Sequence, residues 1–182
     1  MAKAAFTERA EFLMGRSVEL IVSGWLKGRG WYVIPSYDYS GDDRNKAPKL
    51  QGLAEAFPVP DLDVCRALPQ RRPERRWVEV KAKDAADFTF KTRSFDHGIE
   101  HYDDYMRVAE LTGTEPWLAV VEMATVRELD AHRGRFGERG QLLMQSFARL
   151  GQPRRTTMHG KRMAFWPRGM FMPVAVLNLD AA

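Results

Sequence analysis

Two carboxylates and a lysine stand on neighbouring extended segments between Pro60 and Lys83, a combination that could hold a cation and activate a water. The run reads as two short strands joined by a polar, arginine-rich turn. Side chains alternate along a strand, so Trp77, Glu79, Lys81 and Lys83 share one face of the second, opposite Val78, Val80 and Ala82. Asp61, Asp63 and Cys65 likewise share a face of the first, opposite Leu62 and Val64. Pairing the strands with acidic faces aligned gathers carboxylates beside a lysine ammonium. Acids so gathered repel one another and are costly to bury unless a cation or hydrogen bonds compensate. A divalent metal is the natural resident.

Pro60-Asp61 followed by Glu79-Val80-Lys81 on the next strand resembles the signature of the PD-(D/E)xK nuclease superfamily, which includes restriction endonucleases and Holliday-junction resolvases. The resemblance implies a restriction-endonuclease-like α/β fold, with an α-β-β-β-α-β core and a mixed central sheet flanked by helices. It implies a metal-dependent nuclease, with DNA the favoured substrate. Asp61, Glu79 and Lys81 would be catalytic, and Mg²⁺ would be held by Asp61, Glu79, the Val80 carbonyl and a glutamate of the first helix. Mn²⁺ would substitute for Mg²⁺. Asp63 is the alternative to Asp61, since both face the same way, and Lys83 is an auxiliary candidate beside Lys81. Some superfamily members carry Gln-x-x-x-Tyr on a helix after the E-x-K strand; His101 and Tyr105 occupy that spacing here, with histidine in place of glutamine. His97 and His101 also fit one helix face, but without a third soft ligand nearby they do not make a zinc site.

The elements that must position these groups begin with a helix from about Thr7 to Lys27. Phe12, Leu13, Leu20, Ile21, Trp25 and Leu26 recur near its period, and Gly28 and Gly30 end it. Glu19 borders that apolar stripe. An ordinary surface pairing with Arg16 would account for it, whereas the resemblance makes it the helix ligand, with Glu11 second. Trp31 to Ile34 reads as a strand closed by Pro35, and Ser36 to Pro58 as a long loop without periodicity. A second helix is expected over Gly98 to Leu111. The continuous apolar run Trp117 to Val121 fits a central strand covered on both faces. This order spans the core, about 7–123, of a single domain covering 1–182. The remainder, about 124–182, reads as an α+β extension with a helix over Gln141 to Leu150 and a final edge strand from Phe171 to Leu179 carrying Pro173.

Charge points to an anionic partner. The chain of 182 residues carries a formal net charge of +4, and its isoelectric point of about 9.3 lies in the range typical of nucleic-acid-binding domains. Candidate phosphate contacts are Arg71, Arg72, Arg75 and Arg76 in the turn, Lys91 and Arg93 after it, and Arg154, Arg155, Lys161 and Arg162 in the extension. Phe165 and Trp166 lie among the last group, where aromatics could stack on bases or belong to the core. A single cysteine, Cys65, requires no oxidising compartment. The first residues are too short and polar for a signal peptide, and no apolar run could cross a membrane, so a cytoplasmic setting is expected. A homodimer is left open. Two other functions remain in play. One is a nucleic-acid-binding module that keeps the fold without turnover; the other is a structural subunit whose acids only pair with its many arginines.

Overall fold

The computed structural model of the chain describes residues 10–36, 49–69, 71–83, 88–89, 94–122, 139–158 and 160–179. Lys91 and Arg93 lie outside the described residues. The first described element is the helix α1, Ala10–Lys27. It buries Val18, Val22 and Leu26, a stripe at four-residue spacing, while Leu20, expected inward, is exposed. Strand β1, Tyr32–Pro35, follows. The expected structureless loop contains a hairpin of β2, Lys49–Gln51, and β3, Ala56–Pro58. Its Leu50 and Phe57 pack against Val59, Trp77 and Val108.

Strands β4, Leu62–Arg66, and β5, Glu74–Lys83, are the two acidic strands. They pair antiparallel, with Leu62 opposite Val78 and Asp63 opposite Trp77. The chain continues through β6, Phe88–Thr89, β7, Ser94–Ile99, and helix α2, Tyr102–Thr112, to β8, Glu115–Glu122. Strand β8 pairs parallel to β5, with Glu79 beside Leu118, Lys81 beside Val120 and Lys83 beside Glu122. Next come β9, Arg139–Ser146, the short helix α3, Phe147–Leu150, β10, Arg154–Met158, and β11, Lys161–Pro167. A 3-10 turn, Arg168–Met170, leads to β12, Met172–Asn178.

The mixed central sheet has six strands in the order β1-β4-β5-β8-β9-β12, and a second sheet runs β10-β11-β7-β6. One face of the central sheet presents Leu62, Val64, Val78, Val80, Ala119, Val121, Leu142 and Met144 to α1. The other presents Leu118, Val120 and Leu143 to α2, α3 and the second sheet. Alternation along β5 is as the sequence predicts: Val78 and Val80 join the α1 side, Trp77 the other.

Two expected helices are strands or partly so. Gly98 and Ile99 belong to β7, because Gly98 lies opposite Phe165 in the ladder with β11 and its missing side chain admits that ring. An ideal Cβ on Gly98 would stand 2.3 Å from the Phe165 ring. Helix α2 begins only after His101, which caps it in the left-handed region at φ 59°. Gln141 to Ser146 is extended because Leu142 and Met144 feed one core while Leu143 feeds the other. An apolar run covered on both faces has no period to distinguish it from a buried helix. The edge position expected of the Pro173 strand holds: β12 closes the central sheet, with a register shift between Pro173 and Ala175.

Candidate active site

Asp61 sits in the bend just before β4, and Glu79 lies in the middle of β5. Both are buried, Asp61 at 6% exposure and Glu79 at 2%. The antiparallel pairing brings the start of β4 beside the centre of β5, and the Val80 amide donates a 2.7 Å hydrogen bond to Asp61 Oδ2. Burial pushes the Asp61 carboxyl well above the ordinary carboxylate value. The nearby Glu79 carboxylate raises it again and Glu19 adds to the effect, against the opposing charge of Lys81 and the Val80 hydrogen bond. Lys81 Nζ lies 2.5 Å from Glu79 Oε1 and is partly exposed. The second oxygen, Glu79 Oε2, is buried without a hydrogen-bond partner among the described residues. A buried, charged oxygen left in that state is expensive.

The geometry therefore joins Asp61, Glu79 and Lys81 and brings the field of Glu19, half-buried on α1, to bear on Asp61. Among the described residues no three His, Cys, Asp or Glu side chains form a ready metal-ligating group. Two buried carboxylates with one ammonium, Lys81, between them nevertheless offer hard oxygen donors and negative charge that a single lysine only partly offsets. That donor set suits Mg²⁺, which keeps several waters and commonly takes one or two carboxylates.

Asp63 has a different partner. Arg75 grips it through two hydrogen bonds, Nε to Oδ1 at 2.9 Å and Nη2 to Oδ2 at 2.5 Å. The other candidate phosphate contacts of the arginine-rich turn are also placed. Arg71 and Arg72 are exposed at the tip. Arg76 pairs with Glu74 and lies over the Trp31 and Trp117 rings, while Arg66 holds the other oxygen of Glu74. Arg75 and Arg76 thus knit strands together. In the extension, Arg154 pairs with buried Asp96, Arg155 with Asp103 and Lys161 with Glu100, whereas Arg162 is exposed. Phe165 and Trp166 are buried, Trp166 at 1% exposure, and belong to the core rather than to a base-stacking surface.

His97 and His101 do not share a helix face: His97 is buried on β7 and His101 is exposed at the cap of α2. His101 Nδ1 contacts Asp104 at 3.1 Å, and Tyr105 packs into the core beside Leu118 and Val120. Lys83 is half-buried and lies beside Glu122 in the ladder.

Glu122, Arg168 and His97 form a cluster that the sequence reading did not assemble. Arg168 donates to both Glu122 oxygens, with Nε at 2.8 and 2.9 Å and Nη2 at 2.7 Å, and also to Gln141 Oε1 at 3.1 Å. His97 Nε2 meets Glu122 Oε1 at 2.8 Å. Burial alone would raise the Glu122 carboxyl, but hydrogen bonds from His97 and Arg168, with their charges, bring it down to about 2. The signal available in the sequence was phase: Glu122 keeps step with Leu118 and Val120 and ends an apolar strand with an acid. Nothing local marks Arg168 as its partner.

No protein-family model matches the chain, and no curated protein matches it. Among solved structures it is similar to D212, a nuclease from a fusselovirus, at 12% identity over 95% of this chain and 90% of that one, with a TM-score of 0.43.

Proposed function

We propose that the protein is a Mg²⁺-dependent nuclease of the PD-(D/E)xK type that hydrolyses phosphodiester bonds of DNA in the cytoplasm. The observation that carries the reading is the buried Asp61–Glu79 pair with Lys81 on one of its oxygens and, among the described residues, no donor on another. A structural arginine network does not explain that pair. Among the described residues, arginines pair with Asp63, Glu74, Asp96, Asp103, Glu110 and Glu122, but not with Asp61 or Glu79. Those pairs account for the other buried acids among the described residues, Asp96 and Glu122; the strand pair is left for a different cation. We read the central sheet and the preceding helix as the nuclease core, and 1–182 as one domain.

Asp61, Glu79 and the Val80 carbonyl would hold the ion, with Glu19 completing the set. Bound there, Mg²⁺ would supply Lewis acidity at the scissile phosphate and a lowered pKa for the attacking water. Lys81 does a separate task. Its ammonium is a compact point charge, partly exposed, and would orient the water and offset charge developing on the phosphoryl oxygens. Glu79 Oε1 keeps that ammonium in place. The Val80 amide fixes the Asp61 carboxylate so that no side-chain rotation is needed when substrate arrives. By analogy with the superfamily, the products carry 5′-phosphate ends.

The test is cleavage of a panel of duplex, single-stranded and branched DNA, with RNA alongside, in Mg²⁺, Mn²⁺ or Ca²⁺. Mg²⁺ and Mn²⁺ support cleavage of DNA, whereas the larger, looser Ca²⁺ permits binding without turnover. Metal-dependent binding with no cleavage of any panel member would identify a non-catalytic binding module instead.

A further inference from the structure

Alternation and register carry the candidate site beyond Lys81. Lys83 on β5 pairs with Glu122 on β8, and Glu122 pairs with Gln141 on β9, so these residues form one row across three strands. The row shares the face of Glu79 and Lys81, two residues further along β5, or about 7 Å at strand rise. Arg168 lies over it, fixed by Glu122 and Gln141. The 3-10 turn places Arg168 there, and Phe171 just after it anchors in the core with its ring 5.2 Å from the His97 ring.

An arginine has five N–H donors in a rigid plane. The edge formed by Nε and Nη2 is committed to Glu122 and Gln141. Both N–H groups of Nη1 lack an acceptor among the described residues, and the side chain remains 37% exposed. Glu122 is buried, and His97 contacts it from the second sheet, so the carboxylate acts as a fixed anchor. A guanidinium needed only to neutralise a buried acid could lie fully covered; this side chain stays partly exposed. Arginines held in this way suit phosphate recognition, because the orientation cost is met before the ligand binds.

We propose that Arg168 binds a phosphate of the DNA strand next to the one at Lys81, with Glu122, Gln141 and His97 holding its guanidinium in position. The ligand class rests on the nuclease reading above. The proposal adds a binding residue from the C-terminal third and gives that segment a part in the same site.

The experiment measures binding of a fluorescein-labelled oligodeoxynucleotide, single-stranded and duplex, in Ca²⁺ at a series of salt concentrations. Arg168→Gln is compared with wild type, and cleavage in Mg²⁺ is followed in parallel. Loss of one phosphate contact lowers the slope of log affinity against log salt by about one and weakens binding roughly tenfold. A folded Arg168→Gln protein with the wild-type slope and affinity overturns the proposal, while wild-type cleavage in the same samples leaves the nuclease reading standing. The converse pattern, an Arg168-dependent slope without cleavage in Mg²⁺, sinks the nuclease reading and keeps Arg168 as a phosphate contact. Wild-type protein that binds RNA but not DNA, or neither, overturns both. Because Arg168→Gln strands a buried carboxylate, a second measurement uses wild type alone: bound oligodeoxynucleotide should slow phenylglyoxal modification of Arg168, read by mass spectrometry. An unchanged modification rate under saturating DNA contradicts the proposal even if the variant does not fold.

Discussion

Asp61 Oδ2 accepts a hydrogen bond from the Val80 amide at 2.7 Å, although the two residues are separated by a whole strand and turn. That bond holds a buried carboxylate against a second one, Glu79, and the field of a third, Glu19. The arrangement is unfavourable without a cation, which makes it measurable.

Asp61→Asn should raise thermal stability in EDTA, since an amide keeps an acceptor for Val80 and removes the repulsion. Each kcal/mol gained reads as ~2–4 °C for a chain of this size. The sign with pH follows from burial and Glu79 raising the folded pKa above the unfolded one. The unfolded chain then releases its proton first, so this group lowers stability as pH rises from the ordinary aspartate value to the folded one. Melting curves of wild type and Asp61→Asn across that window should differ by this slope, and adding Mg²⁺ should stabilise wild type alone. Equal melting temperatures in EDTA would mean the acids are already compensated.

Glu122 has the opposite sign. Its folded value of about 2 lies below the ordinary 4.5, so its contribution is fully present above pH 4.5 and is lost as pH falls towards 2. A shift of that size corresponds to something on the order of 3 kcal/mol. Glu122→Gln should flatten acid denaturation over this window in urea titrations at fixed pH. Because Glu122 stays ionised and can only accept, His97 Nε2 must carry the hydrogen, and nitrogen-15 spectra should show protonated Nε2 at neutral pH.

Arg154 and Arg162 were grouped as basic residues by sequence, but they separate in the structure. Arg154 pairs with buried Asp96 at 2.7 Å, while Arg162 is exposed. Arg154→Ala should cost about 1–3 kcal/mol in denaturant unfolding, and Arg162→Ala less than about 0.5 kcal/mol. Similar costs for both would contradict a structural role for the Asp96 pair.

Gly98→Ala should destabilise by about 1–3 kcal/mol, because its Cβ would fall against the Phe165 ring. A neutral result by thermal melting would mean that β7 and β11 can separate at little cost.

The acidic strands were legible because a period of two fixes which residues share a face. Val78 and Val80 pointing to α1 is the same fact as Glu79 and Lys81 pointing away. The first helix was legible from its stripe, although Leu20 stands nearly half a turn from the buried Val18 and Val22. The strand β9 was not, since Leu142, Leu143 and Met144 are buried on both sides and show no alternation. The start of α2 was missed because Gly98 serves a cross-strand ring that sequence does not reveal. The arginines were the hardest. Composition marks them as a basic surface, but Arg75, Arg154 and Arg155 are committed to acids distant in sequence, and only tertiary structure makes those pairs.

The central claim is that Lys81 acts on water and phosphate while Asp61 and Glu79 hold the ion. The most direct test is Mg²⁺-dependent DNA cleavage under single-turnover conditions, paired with Mn²⁺ binding by electron paramagnetic resonance, for wild type, Lys81→Ala and Glu79→Gln. Lys81→Ala should lose cleavage by ~10²–10³-fold while still binding Mn²⁺, and Glu79→Gln should lose both. Cleavage that survives Lys81→Ala and Glu79→Gln combined would contradict the account and place the active site elsewhere.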